Sequence, residues 1–473
     1  MVSIADSARA PSRGSAQAAP APSGRLALPV RIYLLMVMIP FAFFAGPLYM
    51  TGVRLILLLV VAPLTVMLLS GRFGRLMVSD IFFMLFLFWV TLSLTLNHPD
   101  RVIEQVGSRG VEFWGGYLLG RCFIRTREHF ITLCKTLSVL AALLLPLALY
   151  ESQTGNPILI DMIRRIPGIR SEVIVNIEGR LGMERSQVIF AHPIHFGLFC
   201  SVAFALTFVA LDGLLSTTRR ILFSLMIGFA TFLALSSGAL LALALQIFMI
   251  GWFFVFRDHE RKWTYLLILF VLMYIAIDIL STRSPIRVFM SYATFSAHNA
   301  YWRAIIFEWG MMNIFGSVEN NIPPAPWFGI GLNDWVRPHF MPSGSVDNFW
   351  LATALLYGVP ALILLLIGYV STLFRVGWRD FTGDDRLEKL RRSWMFTFCG
   401  LSFTLATVHV WTTIYSFVFF MFGAGIWFLN AQPMRDGESQ DSDKTTVPER
   451  VSRYTRFPVA PKADLGPARA RST

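Results

Sequence analysis

Charge is what this chain of 473 residues has little of. Asp, Glu, Lys and Arg make up 15% of it, while 55% is hydrophobic. Soluble domains are about a quarter charged, so a water-soluble globular body is excluded. Cysteine is scarce too. Cys122, Cys134, Cys200 and Cys399 all fall in or at the edge of apolar runs, so no structural disulfide is expected. Acids are the rarer charge, 29 against 41 Lys and Arg, for a net +12. That excess invites a nucleic-acid reading. No soluble stretch bears a basic stripe with interleaved aromatics, however, and nucleic acid is not an expected partner. No internal repeat and no soluble domain is visible.

The chain does have apolar runs of roughly 18–22 residues, the length that crosses a bilayer core as helix. They fall near 32–50, 53–69, 80–96, 108–124, 129–150, 189–211, 220–236, 238–256, 263–280, 347–374, 393–410 and 412–430. The expected fold is therefore all-α and polytopic, with about twelve transmembrane helices. A β-barrel would show short alternating segments instead. The first run is too long for a signal peptide and leads straight into the second, so it reads as a retained helix. Residues 1–27, rich in Ala, Pro, Ser and Gly, and the charged stretch 432–473 read as disordered tails around a membrane domain at 28–431.

Basic clusters set the orientation. Arg25 and Arg31, Arg72 and Arg75, Arg121 to Arg127, Arg219 and Arg220, Arg257 to Lys262, and Arg375 to Arg392 all fall on one side. That side should be the cytoplasm, with both termini. The long loops 151–188 and 281–346 then lie outside, the second between helices 9 and 10. A loop as long as 281–346 is uncommon and usually functional or disordered. This one is too rich in Trp, Phe and Pro to be a solvated linker. It reads as the lid and wall of a site.

Several polar residues on that side could carry chemistry. In the first loop, arginines and acids balance in sign, which fits solvated ion pairs. Arg185 differs, because it stands just before an apolar helix starting near Ile189, where a guanidinium can hold a phosphate by paired hydrogen bonds. His192 and His195 lie one helical turn apart, a spacing that can ligate a metal. No Cys or acid stands at a fitting distance, so no metal site is expected. Packing and contact with a polar substrate both remain open for them. In the second loop, residues 299–315 read as a short helix capped by Ser296 and ended by Gly316. Arg303 is its one cation and either stacks on Trp or binds an anion. Gly329-Ile-Gly331 lacks the strand and helix of a dinucleotide fingerprint and reads as a turn. Asp347 and Asn348 open the tenth helix. Asp347 is either its N-cap or a partly desolvated carboxylate that serves as a base. Arg180, His298, Arg337 and Asn348 complete the expected polar surroundings of a substrate.

Taken in order, these pieces resemble the bacterial O-antigen ligase/polymerase superfamily. The resemblance rests on Arg185 before Phe190-Ala-His-Pro-Ile-His-Phe-Gly197, on Arg303 followed by Trp327-Phe-Gly-Ile-Gly331, and on Ser345-Val-Asp-Asn-Phe-Trp-Leu351 running to Gly358. It spans roughly residues 30–430. It implies a bacterial inner-membrane enzyme that takes a glycan from undecaprenyl diphosphate on the periplasmic side, by inverting, metal-independent transfer, with arginines on the diphosphate. No cofactor is implied. Many ligases carry a His separated by ten residues from a glycine on the late helix, and ten residues separate Asp347 from Gly358 in this chain, so Asp stands where those ligases have His. The expectation is therefore a polymerase of exopolysaccharide or O-antigen repeats. A ligase to lipid A-core or another acceptor is the alternative, and a transporter or flippase is a more distant one. Expected partners are the lipid-linked glycan, membrane lipids and polysaccharide synthesis or export machinery.

Overall fold

A computed structural model of the chain describes residues 24–46, 48–282, 288, 297–341 and 343–433, with the backbone only for 297–300. Most of both expected tails lies outside these residues. Among the described residues, eight helices are long and apolar enough to cross a membrane: Gly52–Leu69, Val78–Asn97, Arg127–Thr154, Pro193–Ala210, Ser237–Val255, Lys262–Leu280, Val359–Gly377 and Thr412–Leu429. The fold is that of a helical membrane protein.

Four of the twelve apolar runs are built differently, for local reasons. The first yields only the helix Leu28–Met38. Pro40 biases Ile39 out of the helix, and Ile39 is extended. The aromatic-rich continuation pairs as antiparallel strands Phe41–Ala45 and Leu48–Thr51, joined by Arg170–Ser171 from the first long loop. A small three-stranded sheet thus stands within an otherwise helical fold, and it suits β-favouring Phe and Tyr. The 108–124 run forms a π-helix, Val106–Gly115, that tightens into the α-helix Gly116–Phe123. Its glycines allow the backbone to touch a neighbour: a Cβ on Gly120 would meet the main chain of Phe420 and Ala424. The third, Thr217–Leu233, has 17 residues. The fourth, Asp385–Leu405, begins with the charged turns that the sequence reading left in a loop.

The 347–374 run is broken as well. Gly358, with φ +89°, separates Phe349–Tyr357 from Val359–Gly377. The break is clamped from outside, since Val359 N donates to Pro326 O at 2.8 Å and Ile330 N to Leu355 O at 2.9 Å. Phe328 stacks on Trp89 with ring centroids 5.4 Å apart.

The main core is aromatic. Phe83 lies 5.1 Å from Phe113 and 5.0 Å from Tyr117, and Tyr369 stacks on Phe422 at 4.9 Å. The second long loop has a smaller core of its own, around Ile306, Ile314, Trp335, Met341 and Leu355. It includes the helix Ala297–Phe315, which ends at Gly316 with φ +87° as the sequence suggested. Ser296, its expected cap, lies outside the described residues.

Candidate functional site

The site is organised by a break between two helices. Thr217–Leu233 ends, Leu235 adopts φ +45°, and Ser236 caps the next helix by accepting from Ala239 N. Three polar groups converge on this turn. Arg180 Nη1 donates to Leu235 O at 2.9 Å, Ser186 N to Leu233 O at 3.2 Å, and Arg303 Nη2 to Ser237 Oγ at 3.5 Å. The two long loops therefore meet at the N-terminus of Ser237–Val255, where unpaired backbone N–H groups favour an anion.

Arg185 is held here by a clamp on the end of Arg127–Thr154. Glu184 N donates to Ser152 O at 2.9 Å and Ser186 Oγ to Ala148 O at 2.8 Å. Glu151 accepts from both Gln187 N and Val188 N at 2.8 Å. Glu151 was expected in solvated ion pairs. It is buried instead, because two main-chain donors replace the water it loses. Val188 pays for the tight path with φ +56°, a conformation rare for a β-branched residue.

The guanidiniums are under-partnered. Arg185 Nε and Arg303 Nη1 are buried without a hydrogen-bond partner. Among the described residues, Arg180, Arg185 and Arg303 form no ion pair with a carboxylate. Burial, with the like charge of Arg180 behind it, pushes Arg185 down to about 10. Burial also lowers Arg303, opposed by the Asp347 carboxylate and reinforced by Arg180. All three stay charged at neutral pH. Burial and then Arg185 push His192 down to about 4. It is thus neutral, and its Nδ1 caps Pro193–Ala205 by accepting from Ile194 N at 3.1 Å. His195 is buried with Nε2 unpartnered, its ring 4.0 Å from that of Trp411.

The helix entry at 347–349 differs from the sequence reading. The cap of Phe349–Tyr357 is Asn348, whose Oδ1 accepts from Leu351 N at 3.0 Å. Asp347 sits two residues before the helix, exposed, and accepts from Ser345 Oγ at 2.7 Å. It is neither the cap nor desolvated, because the helix starts later than the apolar pattern implied. Asn348, expected on substrate, has its oxygen engaged by the helix. Arg337 is held by Asp334 at 2.5 Å within the loop and is not brought to the arginine cluster by any contact described. The side chain of His298 lies outside the described residues. Arg164 and Arg165 are exposed, as solvated charges should be. Among the described residues, no group of three His, Cys, Asp or Glu is placed to hold a metal ion.

Trp411, which packs on His192 and His195, also lines a cavity of about 410 Å³. Its lining includes Arg109, Ser108, His409, Thr412, Tyr415 and Tyr357. Arg109 Nη1 donates to Tyr357 Oη at 3.2 Å. Arg54 reaches the cavity too, but is paired with Glu112 at 2.7 Å. His409 sits just before Thr412–Gly423. Sequence reasoning missed this chamber. Its signal was present: Arg109, Glu112 and His409 are ionisable residues inside apolar runs, which are functional candidates by default. No protein-family model matches this chain, and no curated protein matches it either.

Proposed function

We propose that this chain is a membrane glycosyltransferase that takes a glycan from an undecaprenyl diphosphate donor and polymerises repeat units. One observation carries the reading: Arg180, Arg185 and Arg303 crowd one turn with like charge, two of them with buried, unpartnered nitrogens. Such an arrangement is costly until an anion arrives. Breaking a sugar–diphosphate bond requires stabilising the leaving diphosphate, and fixed guanidiniums in a half-buried site do that. The aromatic loop walls the site from water that would hydrolyse the donor. Asp347 is the base for the acceptor hydroxyl: it is near enough to bias Arg303 electrostatically and free of the helix cap. The eight apolar helices and the four shorter or more polar ones would together make twelve crossings in the bacterial inner membrane. The one-sided basic clusters then put both termini in the cytoplasm and the arginines in the periplasm.

Arg185→Lys and Arg303→Lys test the reading, since Lys keeps the charge but loses the planar fork. Each is expected to cut polymer by about a hundredfold or more at normal protein level, with exposed Arg164→Lys as the unaffected control. Normal polymer from both variants would remove the diphosphate role. Glycan sizing in a deletion strain separates the activities: short repeats mark a polymerase, unattached long chains a ligase, and glycan trapped inside a flippase.

A further inference from the structure

We infer that the chamber on the far side of Trp411 is a saccharide-binding pocket, which holds the sugar portion of a substrate while the arginines hold its diphosphate. This rests on the glycosyl-transfer reading for its place in the reaction, but the binding claim comes from the chamber itself.

Its size, about 410 Å³, falls within the range of small-molecule pockets, about 300–1,000 Å³. Two buried polar atoms in its lining have no partner: His409 Nδ1 and Thr412 Oγ1. Buried polar atoms are rarely left so, and each costs stability until something bonds to it. Thr412 holds φ +49°, a strained conformation for a β-branched residue and one that clusters at functional sites. The lining holds two arginines, Arg54 and Arg109, and two acids, Glu104 and Glu112, so its formal charge sums to zero, with Arg54 paired to Glu112 and Arg109 bonded to the neutral Tyr357 hydroxyl. What remains is aromatic surface (Phe349, Trp411, Tyr415) facing hydroxyl, amide and imidazole groups. Flat apolar faces beside many neutral hydrogen-bonding groups suit the two kinds of surface on a sugar ring. Trp411 joins the two compartments, touching His192 and His195 on the arginine side and lining the chamber on the other. A ligand with an anionic end and a polyhydroxyl end would span both.

The probe is the oligosaccharide released by mild acid from the producing cells' own envelope polysaccharide, titrated calorimetrically into the full-length protein in detergent. A second titration uses undecaprenyl diphosphate without sugar. Thr412→Val replaces only the hydroxyl with a methyl and should weaken the oligosaccharide by about tenfold, the value of one lost hydrogen bond. Ser108→Trp fills the chamber from its polar wall and should abolish that binding. Both should leave undecaprenyl diphosphate affinity unchanged. Arg303→Lys should do the reverse. Thermal unfolding checks that each variant is folded. Wild-type oligosaccharide affinity in folded Ser108→Trp, or no oligosaccharide binding by the wild type, overturns the proposal. If Ser108→Trp weakens undecaprenyl diphosphate equally, the two compartments are one and the assignment is also wrong. Should Arg185→Lys and Arg303→Lys bind undecaprenyl diphosphate normally, the glycosyl-transfer reading fails while the saccharide pocket stands on its own titration.

Discussion

Asp347 and Asn348 are neighbours with separable jobs. Asn348 Oδ1 satisfies the Leu351 N–H, so Asn348→Ala should cost about 1 kcal/mol of stability, the usual loss for a missing N-cap. Asp347 touches no helix donor; its one hydrogen bond described is from Ser345 Oγ, at an exposed position. Asp347→Asn keeps an oxygen for Ser345 and should therefore move stability by no more than about 0.5 kcal/mol. If Asp347 takes the acceptor's proton, the same change removes general-base assistance of about 10²–10⁴-fold, or roughly 3–5 kcal/mol of barrier. The two effects thus fall on opposite variants. Asn348→Ala should lower the unfolding midpoint with turnover per folded molecule nearly kept. Asp347→Asn should leave the midpoint unchanged and lose nearly all turnover. The assay is polymer formed from purified lipid-linked repeat in detergent, normalised to folded protein. Asp347→His, which restores a titratable group, should recover part of the rate that Asp347→Asn loses. Near-wild-type turnover by Asp347→Asn would falsify the base assignment and leave Asp347 as a loop residue.

Three further outcomes are expected. Burial, chiefly, and then Glu112 raise Glu172 to about 7, so from about pH 4.5 upward the unfolded chain ionises there while the folded one resists, and stability falls until about pH 7. Glu172→Gln should accordingly raise the thermal midpoint at pH 7.5 and leave it unchanged at pH 4; an equal shift at both would remove the titration argument. Gly358→Ala should give little folded protein, because a Cβ at φ +89° runs into the Trp327 carbonyl, a rigid main-chain group; normal yield would show that the helix break can move. Single cysteines at Asn320 and Asp385 should be labelled from opposite faces of the membrane, and labelling from the same face would end the proposed topology.

The parts legible in the sequence were those where one residue type has a single economical use. Apolar runs of bilayer length became helices because nothing else satisfies their backbone in lipid. Arg185 and Arg303 stood out because a guanidinium beside an apolar helix needs a reason, and the structure brings both loops to one turn. Legibility failed where the backbone departs from periodicity. Pro40 was a visible stop, but not that Phe41–Ala45 would then pair as strand. The π-helix at Val106–Gly115 carries Arg109 and Glu112, which a regular α-helix would direct differently. The strained residues are the least readable. Val188, Leu235 and Thr412 are apolar or β-branched side chains at φ +56°, +45° and +49°, where a sequence argument would place glycine or asparagine. No local propensity asks for these conformations, so the packing around them must impose them. Val188 and Leu235 lie beside the arginine turn, and Thr412 lines the chamber. Strain retained in both compartments, against local preference, is the physical reason to treat them as one working site rather than as a site and an accidental void.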